Sequence, residues 1–561
     1  MLPQGRPGFS ARTVVCAAML MTCSLGIQAW TISQATVPAL DSVSFVSLAQ
    51  RFDRDGWLTT LALDPSPPLF AMLVNRVHAL LATLGVIAPH HWGLCAQLTS
   101  AFSLVLAAPL AYALFRYCVG PWAALTGGLL FCVITVVARS GGDGLSDGTQ
   151  LACLLAGLGC TARYLVGLAE RPEGRPAWLL ASGTLIGLGL LCRSEAAIVL
   201  LAVAAALLVE CLLTRSLHRS GLARAAMALA VGLMVVVGPY LAAAGAYSPA
   251  AAVERLVGRR GPDDMTPLNA TAAEAARVES VSNKPAWQLP DGRPMVFGRK
   301  DFTNSTRFHG VWNAAYELLR ELAQSLHYGL GLLALYGLWS MRAALRRPID
   351  RLLTILYVLY VAAAFYVSWQ SGYLAGRHLL PIVVIALPWA GVGVWELAHV
   401  ATHFIGKNTG GGGGTQGQML VGGVIISLLV VGCLGSTLAP LHVSRAGHRQ
   451  AIAWLDSPQA RSGAVLDSLG LTALYTGRTT YRYRAAAAAL TDPNLAYIVV
   501  EQSELAAESE RGATMRAMLA EWAHFVAAFA PAEPKSKDRT VLVYDWQGDR
   551  FARFLGENHA P

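Results

Sequence analysis

Four short stretches carry the side chains best suited to chemistry. Asp41 heads the segment Ser42-Val43-Ser44-Phe45-Val46-Ser47-Leu48-Ala49-Gln50-Arg51-Phe52-Asp53. Arg139-Ser140-Gly141-Gly142-Asp143-Gly144-Leu145-Ser146-Asp147 holds two carboxylates four residues apart, which can face one cavity if the chain is helical from 145 onward. Arg193-Ser194-Glu195 sits between two short apolar runs, and Arg377-His378-Leu379-Leu380-Pro381 opens another. A carboxylate can take the proton of an attacking hydroxyl, or hold a divalent ion with a second carboxylate. An arginine fork pairs bidentately with phosphate. Two arginines beside two acidic sites point to an anionic substrate. Each residue also has a plainer role. Asp41 can cap helix 42–53, where Phe45, Leu48, Ala49 and Phe52 recur at helical spacing. Asp147 can cap its own helix while Asp143 is solvated, and either Arg can snorkel to an interface.

These stretches are islands in an apolar chain. Of 561 residues, 54% are hydrophobic and 14% charged, and mean hydropathy is +0.46. Soluble proteins carry about 25% charge, so this chain cannot coat a soluble particle of its size. Long unbroken apolar runs exclude a cytosolic enzyme, a disordered chain and a secreted disulfide scaffold, and imply an α-helical polytopic membrane protein. The net charge of +9 reads as arginines on cytoplasmic loops rather than as a nucleic-acid surface. The ten cysteines all lie in or beside apolar runs, without zinc spacing or a disulfide framework.

Apolar runs fall at 13–30, 69–88, 93–115, 121–138, 148–168, 177–192, 195–213, 222–245, 322–341, 351–369, 378–404 and 418–440. Three basic loops read as cytoplasmic: Arg163, Arg171 and Arg175; Arg215, Arg219 and Arg224; Arg342, Arg346, Arg347 and Arg351. Loops 31–66, 139–147, 246–321 and 370–377 then face outside. Even crossing between 31–66 and 139–147 requires one run not to cross. Run 69–88 fits that part, with Pro65, Pro67 and Pro68 before it, Asn75, Arg76 and His78 within it, and Pro89-His90-His91 after it. It reads as a partly inserted helix. About eleven spans follow, with the amino terminus inside, as an uncleaved anchor, and the carboxyl terminus outside. Residues 409–414 read as a flexible linker, since no P-loop Lys-Ser/Thr follows them. Asn269-Ala270-Thr271 and Asn304-Ser305-Thr306 match the glycosylation acceptor pattern.

Residues 1–444 form the transmembrane domain. From 445 to 561 the composition is that of a small outer α/β domain, an accessory or acceptor-contacting module. Segments 464–467, 496–500 and 540–544 are strand-like, and 446–456 and 508–528 are helix-like.

Over about 25–385 the chain resembles the GT-C superfamily of integral-membrane glycosyltransferases, among them protein O-mannosyltransferases, aminoarabinose transferases and oligosaccharyltransferases. The resemblance rests on the acidic first outside loop with Asp41 and on Pro67-Pro68-Leu69 opening a partly inserted helix. It rests also on Arg139 to Asp147 as a second acidic loop, and on Arg377-His378-Leu379-Leu380-Pro381, similar to an Arg-Tyr-Leu-x-Pro element. It implies inverting transfer of a sugar from a polyprenyl-phosphate donor to a lipid, glycan or protein acceptor at the outer face of a bacterial inner membrane. Asp41 would be the general base. Arg377, His378 and Arg193 would hold the departing phosphate, and Asp143 and Arg139 would bind substrate. A divalent ion, Mg or Mn, would sit on Asp41 and Asp143 if the chemistry uses one. Helix 42–53 and run 69–88 would wall the prenyl chain. Two readings from other classes share the composition: a multi-span transporter of an anionic solute or lipid, and a membrane sensor or scaffold. A transporter has no use for the outer tail or loop 246–321, and the spans show no duplication.

Overall fold

The computed structural model describes residues 10–88, 90–168, 175–212, 217–246, 248–257, 289–290, 295, 310–343, 347–409, 415–531 and 539–558. The acceptor tripeptides at 269 and 304 and the glycine run 410–414 lie outside these residues. The helical part runs α1 (Ala11–Gln34), α2 (Ser42–Arg54), α3 (Trp57–Leu63), α4 (Leu69–Thr83), α5 (Trp92–Cys118), α6 (Pro121–Val133), α7 (Thr135–Gly142), α8 (Asp147–Leu168), α9 (Pro176–Leu190), α10 (Ala197–Leu212), α11 (Arg219–Ala243) and α12 (Pro249–Val257). It continues with α13 (Val311–Ser325), α14 (Gly329–Ser340), α15 (Pro348–Ser371), α16 (Leu380–Thr409) and α17 (Thr415–Thr437).

Eight helices among the described residues are long and apolar enough to cross a membrane, or nine if the bent pair α6–α7 is one span. This is fewer than the eleven crossings read from the sequence. Runs 177–192 and 322–341 do fold as apolar helices, but α9 has 15 residues and α14 only 12. At about 1.5 Å per residue these reach roughly 22 and 18 Å, short of a hydrocarbon core of about 30 Å. Run 322–341 is divided between α13 and α14 at His327 and Tyr328, both with positive φ. Helix α4, expected to be partly inserted, has 15 residues and is among the shorter apolar helices.

The α6–α7 bend of 45° has a local cause. Ile134 is extended (φ −67°, ψ 128°), so the ladder breaks there. The orphaned Val133 carbonyl accepts the Thr437 hydroxyl at 2.7 Å, and Thr437 Oγ1 also lies 3.0 Å from Thr135 Oγ1. Broken backbone inside a bundle is tolerated where side chains replace the lost partners. Elsewhere, glycines let helices touch: a Cβ on Gly183 or Gly232 would collide with the backbone of the facing helix in the α9–α11 pair.

Two arginines read as topology markers are structural clamps. Arg347 pairs with buried Asp350 and donates to the Cys118 carbonyl at 2.6 Å, while Arg351 pairs with buried Glu210. Buried carboxylates need such partners.

The tail is a five-stranded mixed sheet of order β2-β1-β3-β5-β4. Its strands are β1 (Ala464–Asp467), β2 (Thr480–Tyr481), β3 (Leu495–Glu501), β4 (Ala523–Phe529) and β5 (Val541–Trp546), preceded by α18 (Ala446–Leu455). Strands β1, β2 and β3 are parallel; β3–β5 and β5–β4 are antiparallel. The helix expected over 508–528 stops at Trp522, and 523–529 is β4. Pairing with β5 overrides local helix propensity there, as tertiary context commonly does. The tail docks through Leu471, Ala473 and Leu474, which share a core with Val43, Val46, Phe70 and Trp92 of α2, α4 and α5.

Candidate functional site

The site lies where the carboxyl end of α1, the amino end of α2, the α7–α8 turn and the start of α16 meet the tail junction. After α1 the chain forms a bridge between Ala35 and Leu441. The Ala39 amide then donates to the Asp143 carbonyl at 3.0 Å, which fixes the first acidic loop against the second. Asp41 follows two residues later.

Asp41 occupies the N-cap position of α2 without acting as a cap. Its backbone is αR (φ −69°, ψ −23°) and its side chain makes no cap hydrogen bond; capping residues normally sit in the β region. The carboxylate instead receives Nη1 of Arg377, 336 residues away. Arg377 is presented by a 3-10 turn, Gly376–Leu379, that feeds α16. Its Nε is buried without a partner. The two side chains are 45% and 36% exposed, so the pair is open to a substrate.

Asp143 ends α7 and receives His442 Nε2 at 2.7 Å. His442 is held left-handed (φ 55°, ψ 32°) in the junction between α17 and the tail. The glycines before Asp143 serve close approach more than turning. A Cβ on Gly142 would strike Leu441 Cδ1 at 2.5 Å and the Thr31 carbonyl oxygen at 3.0 Å. The turn is made by Gly144, with φ +65°.

Asp147 is the first residue of α8 and is buried. It pairs with Arg193 Nη1, while Arg193 Nε and Nη2 fork onto Glu195 at 3.2 and 2.9 Å. Asp147 is thus an ion-pair partner rather than a bare helix cap. The Asp147 end of this triad is sealed, with its side chain 5% exposed, while Glu195 at the other end is 43% exposed. The triad's field reaches the Asp41–Arg377 pair: Arg193 senses Asp41, and Asp147 senses Arg377 and Asp143. His378 senses Arg377, Arg193, Glu195 and Asp41. Arg139 points to the junction, its Nη2 donating to the carbonyls of Ala439 (2.9 Å) and Pro440 (3.4 Å).

Asp41, Asp143, Arg193, Arg377 and His378 are therefore gathered at one place, with Arg139 as a clamp on the adjoining strap. His442 escaped sequence reasoning. It lies 299 residues from Asp143, and no local motif announces the pairing. For a metal, the donor set is thin. Among the described residues no group of three or more His, Cys, Asp or Glu could hold an ion, and Asp41 and Asp143 each already face a partner. The residues do not fit a resident divalent ion.

Residues 67–241 match the sequence profile of the family described as dolichyl-phosphate-mannose-protein mannosyltransferase. That stretch carries Arg139, Asp143, Asp147, Arg193 and Glu195, and excludes Asp41 and Arg377. No curated protein sequence matches the chain. Among solved structures, the fold is similar to ArnT from Cupriavidus metallidurans bound to undecaprenyl phosphate. The identity is 13%, the similarity covers 95% of this chain and 98% of that one, and the TM-score is 0.56. It is also similar to the Archaeoglobus fulgidus oligosaccharyltransferase tethered with an acceptor peptide containing the NVT sequon, at 11% identity, 95% and 76% coverage and a TM-score of 0.52. The same archaeal enzyme in complex with Zn and sulfate gives 12% identity, 91% and 71% coverage and 0.53. The likeness to these structures is one of fold, and the profile match over 67–241 agrees with the membrane glycosyltransferase read from the sequence.

Proposed function

We propose that the chain transfers one sugar from a polyprenyl-phosphate donor to an acceptor at the outer face of the membrane, with inversion at the sugar's C1. The observation that carries this reading is the open Asp41–Arg377 pair. A carboxylate released from capping lies against a guanidinium that keeps a second donor, Nε, unused. The acceptor hydroxyl attacks C1 while the bond from C1 to the phosphate oxygen breaks. Asp41 takes the hydroxyl proton. Arg377 stabilises the charge growing on the lipid phosphate, an effect enlarged where water is scarce. Because Nη1 already holds Asp41, one guanidinium can keep base and leaving group on opposite sides of C1, the geometry inversion needs.

Carboxylates are weak bases, so orienting the acceptor is a large part of the task. Asp143, steadied by His442, holds the acceptor. Arg193, paired with Asp147, positions Arg377 through the shared field, and His378 completes the phosphate side. The α2–α4 pair, joined by the edge-on rings of Phe45 and Phe70 and by Asn75 Nδ2 on the Ala49 carbonyl, walls the prenyl chain. Undecaprenyl phosphate in the bacterial relative and the acceptor peptide in the archaeal one support a lipid phosphate on one side and a lipid, glycan or protein on the other. The arginine distribution supports a cytoplasmic amino terminus, an outer tail and eleven crossings, with α9 and α14 as the short ones.

The test is donor turnover. Arg377→Ala should lose about 2–5 kcal/mol of interaction with the phosphate, and Arg377→Lys should recover only part, a point charge replacing a fork. Equal turnover in the three proteins excludes Arg377 from the site.

A further inference from the structure

The tail carries cations that the transfer reaction above leaves without a task. In the order β2-β1-β3 the chain reverses direction at β1. In open α/β sheets the crevice at the carboxyl ends of such strands is where ligands bind. Here the carboxyl end of β1 leads to the helical part. Beyond β1 the chain enters Leu471–Leu474, which packs on α2, and Gln50 Nε2 donates to the Ala473 carbonyl at 3.3 Å. Ser468, one residue past β1, has a buried hydroxyl with no partner.

Arg445 comes three residues after the His442 that holds Asp143, and feels the charge of Glu501 at the end of β3. It is half-buried, and its Nη1 is buried with no hydrogen-bond partner. Arg539 comes from the far side, donating from Nη1 to Ser444 Oγ at 3.1 Å, so a second guanidinium is tied to the neighbouring residue. Among the described residues neither arginine has a carboxylate within ion-pair distance. Three carboxylates act on Arg445 from farther off, and each is engaged elsewhere: Glu501 by His448 Nε2 and Ser503 Oγ at 3.1 Å each, Asp143 by His442 and Asp41 by Arg377. Burial and the Arg539 charge both push the Arg445 guanidinium below its ordinary value. Like charges near each other, one of them half-buried, are unfavourable by themselves, and an oxyanion between them reverses the sign.

We propose that Arg445 and Arg539, with Ser444 between them and Ser468 at the strand end, form an anion subsite through which the tail takes part in substrate binding. Its ligand is a phosphate or carboxylate group. Resting on the transfer reaction above, that group has two sources: the donor's lipid phosphate or an acidic group on the acceptor.

The test uses the full-length protein in detergent with inorganic phosphate as probe, read by titration and by the shift of the melting curve. Sugar transfer is not part of the readout, so the result stands apart from the fate of Asp41. Wild type should bind phosphate saturably. Arg445→Gln and Arg539→Gln should each weaken it by about tenfold or more, the loss of a charge-assisted hydrogen bond. Arg516→Gln, an exposed tail arginine bonded to the Leu505 and Ala507 carbonyls, should leave it unchanged. If Arg445→Gln does not fold, the exposed Arg539 decides. Undecaprenyl phosphate identifies the source: competition with inorganic phosphate assigns the subsite to the donor, and simultaneous binding assigns it to the acceptor. Unaltered phosphate affinity in the two variants, or no saturable binding by wild type, overturns the proposal.

Discussion

Asp41→Asn separates catalysis from architecture because the structure gives the two roles very different magnitudes. The Asp41–Arg377 pair is 45% and 36% exposed, so its worth to folding is that of a screened ion pair, about 0–1 kcal/mol. Asn keeps a carbonyl oxygen for Arg377 Nη1, so even this is partly retained. The helix loses nothing as a cap, since the Asp41 side chain caps nothing. The melting temperature in detergent should therefore move by no more than about 2–4 °C. Turnover should fall far more. Losing a general base costs about 10²–10⁴-fold, which at 1.36 kcal/mol per decade is about 3–5 kcal/mol of barrier. Asp41→Glu keeps the charge but moves it by about 1 Å, enough for roughly 10²-fold. The assay is single-turnover transfer from a purified lipid-phosphate sugar in nanodiscs, with donor binding measured separately. An Asn variant that folds, binds donor and transfers sugar at near the wild-type rate would refute the assignment of Asp41 and leave the fold untouched.

Other perturbations read other parts of the site. Arg193→Leu leaves Asp147 buried without its partner and should destabilise by about 3–5 kcal/mol; a wild-type melting curve would contradict the pairing. Gly142→Val brings a branched side chain into Leu441 and the Thr31 carbonyl and should cost about 1–3 kcal/mol as overpacking, measured by thermal unfolding. Burial pushes the Glu501 carboxyl up, but the His448 hydrogen bond and charge outweigh it and hold the group below its ordinary value. Its stabilisation is present above the unfolded pKa of about 4.3 and is lost as pH falls through the lower folded one. Glu501→Gln should remove that acid-limb component from the unfolding curve, and identical acid limbs would argue against it.

Local signals carried much of the scaffold. Helical spacing from Phe45 to Phe52 marked α2 almost to the residue, and Ala464–Asp467 is the strand its β-branched core suggested. Crossing number was less legible. The break at His327 and Tyr328 is followed by Gly329 and Gly331, but glycines are common within the apolar helices of this chain and do not single it out, and the length of α9 depends on where Leu191 turns toward Arg193. Strand β4 was hidden because Glu510–Trp522 and the residues after it have one continuous helical composition, and only β5 distinguishes them. At the site, the residue types were readable but not the pairings. Asp41 with Arg377 and Asp143 with His442 join positions about 300 residues apart, and periodicity is silent at that range. The plainer reading of Asp41 as a cap was correct in position and wrong in bonding.

The strap from Leu438 to Arg445 ties the first membrane helix to the last. Trp30 Nε1 donates to the Leu438 carbonyl at 3.0 Å, Thr36 N to the Leu441 carbonyl at 3.2 Å, and Leu441 N returns to the Gln34 carbonyl at 3.3 Å. These contacts span some 400 residues, so they form only after nearly all of the chain has been made. A ribosome releases the acidic loop with Asp41 early, yet His442, which holds Asp143, emerges nearly four-fifths of the way through synthesis. At roughly 5–20 residues per second, the unfinished chain spends on the order of tens of seconds in the bilayer with Asp143 lacking its His442 partner. A chain truncated before residue 438 lacks every one of these contacts and leaves Asp143 without His442.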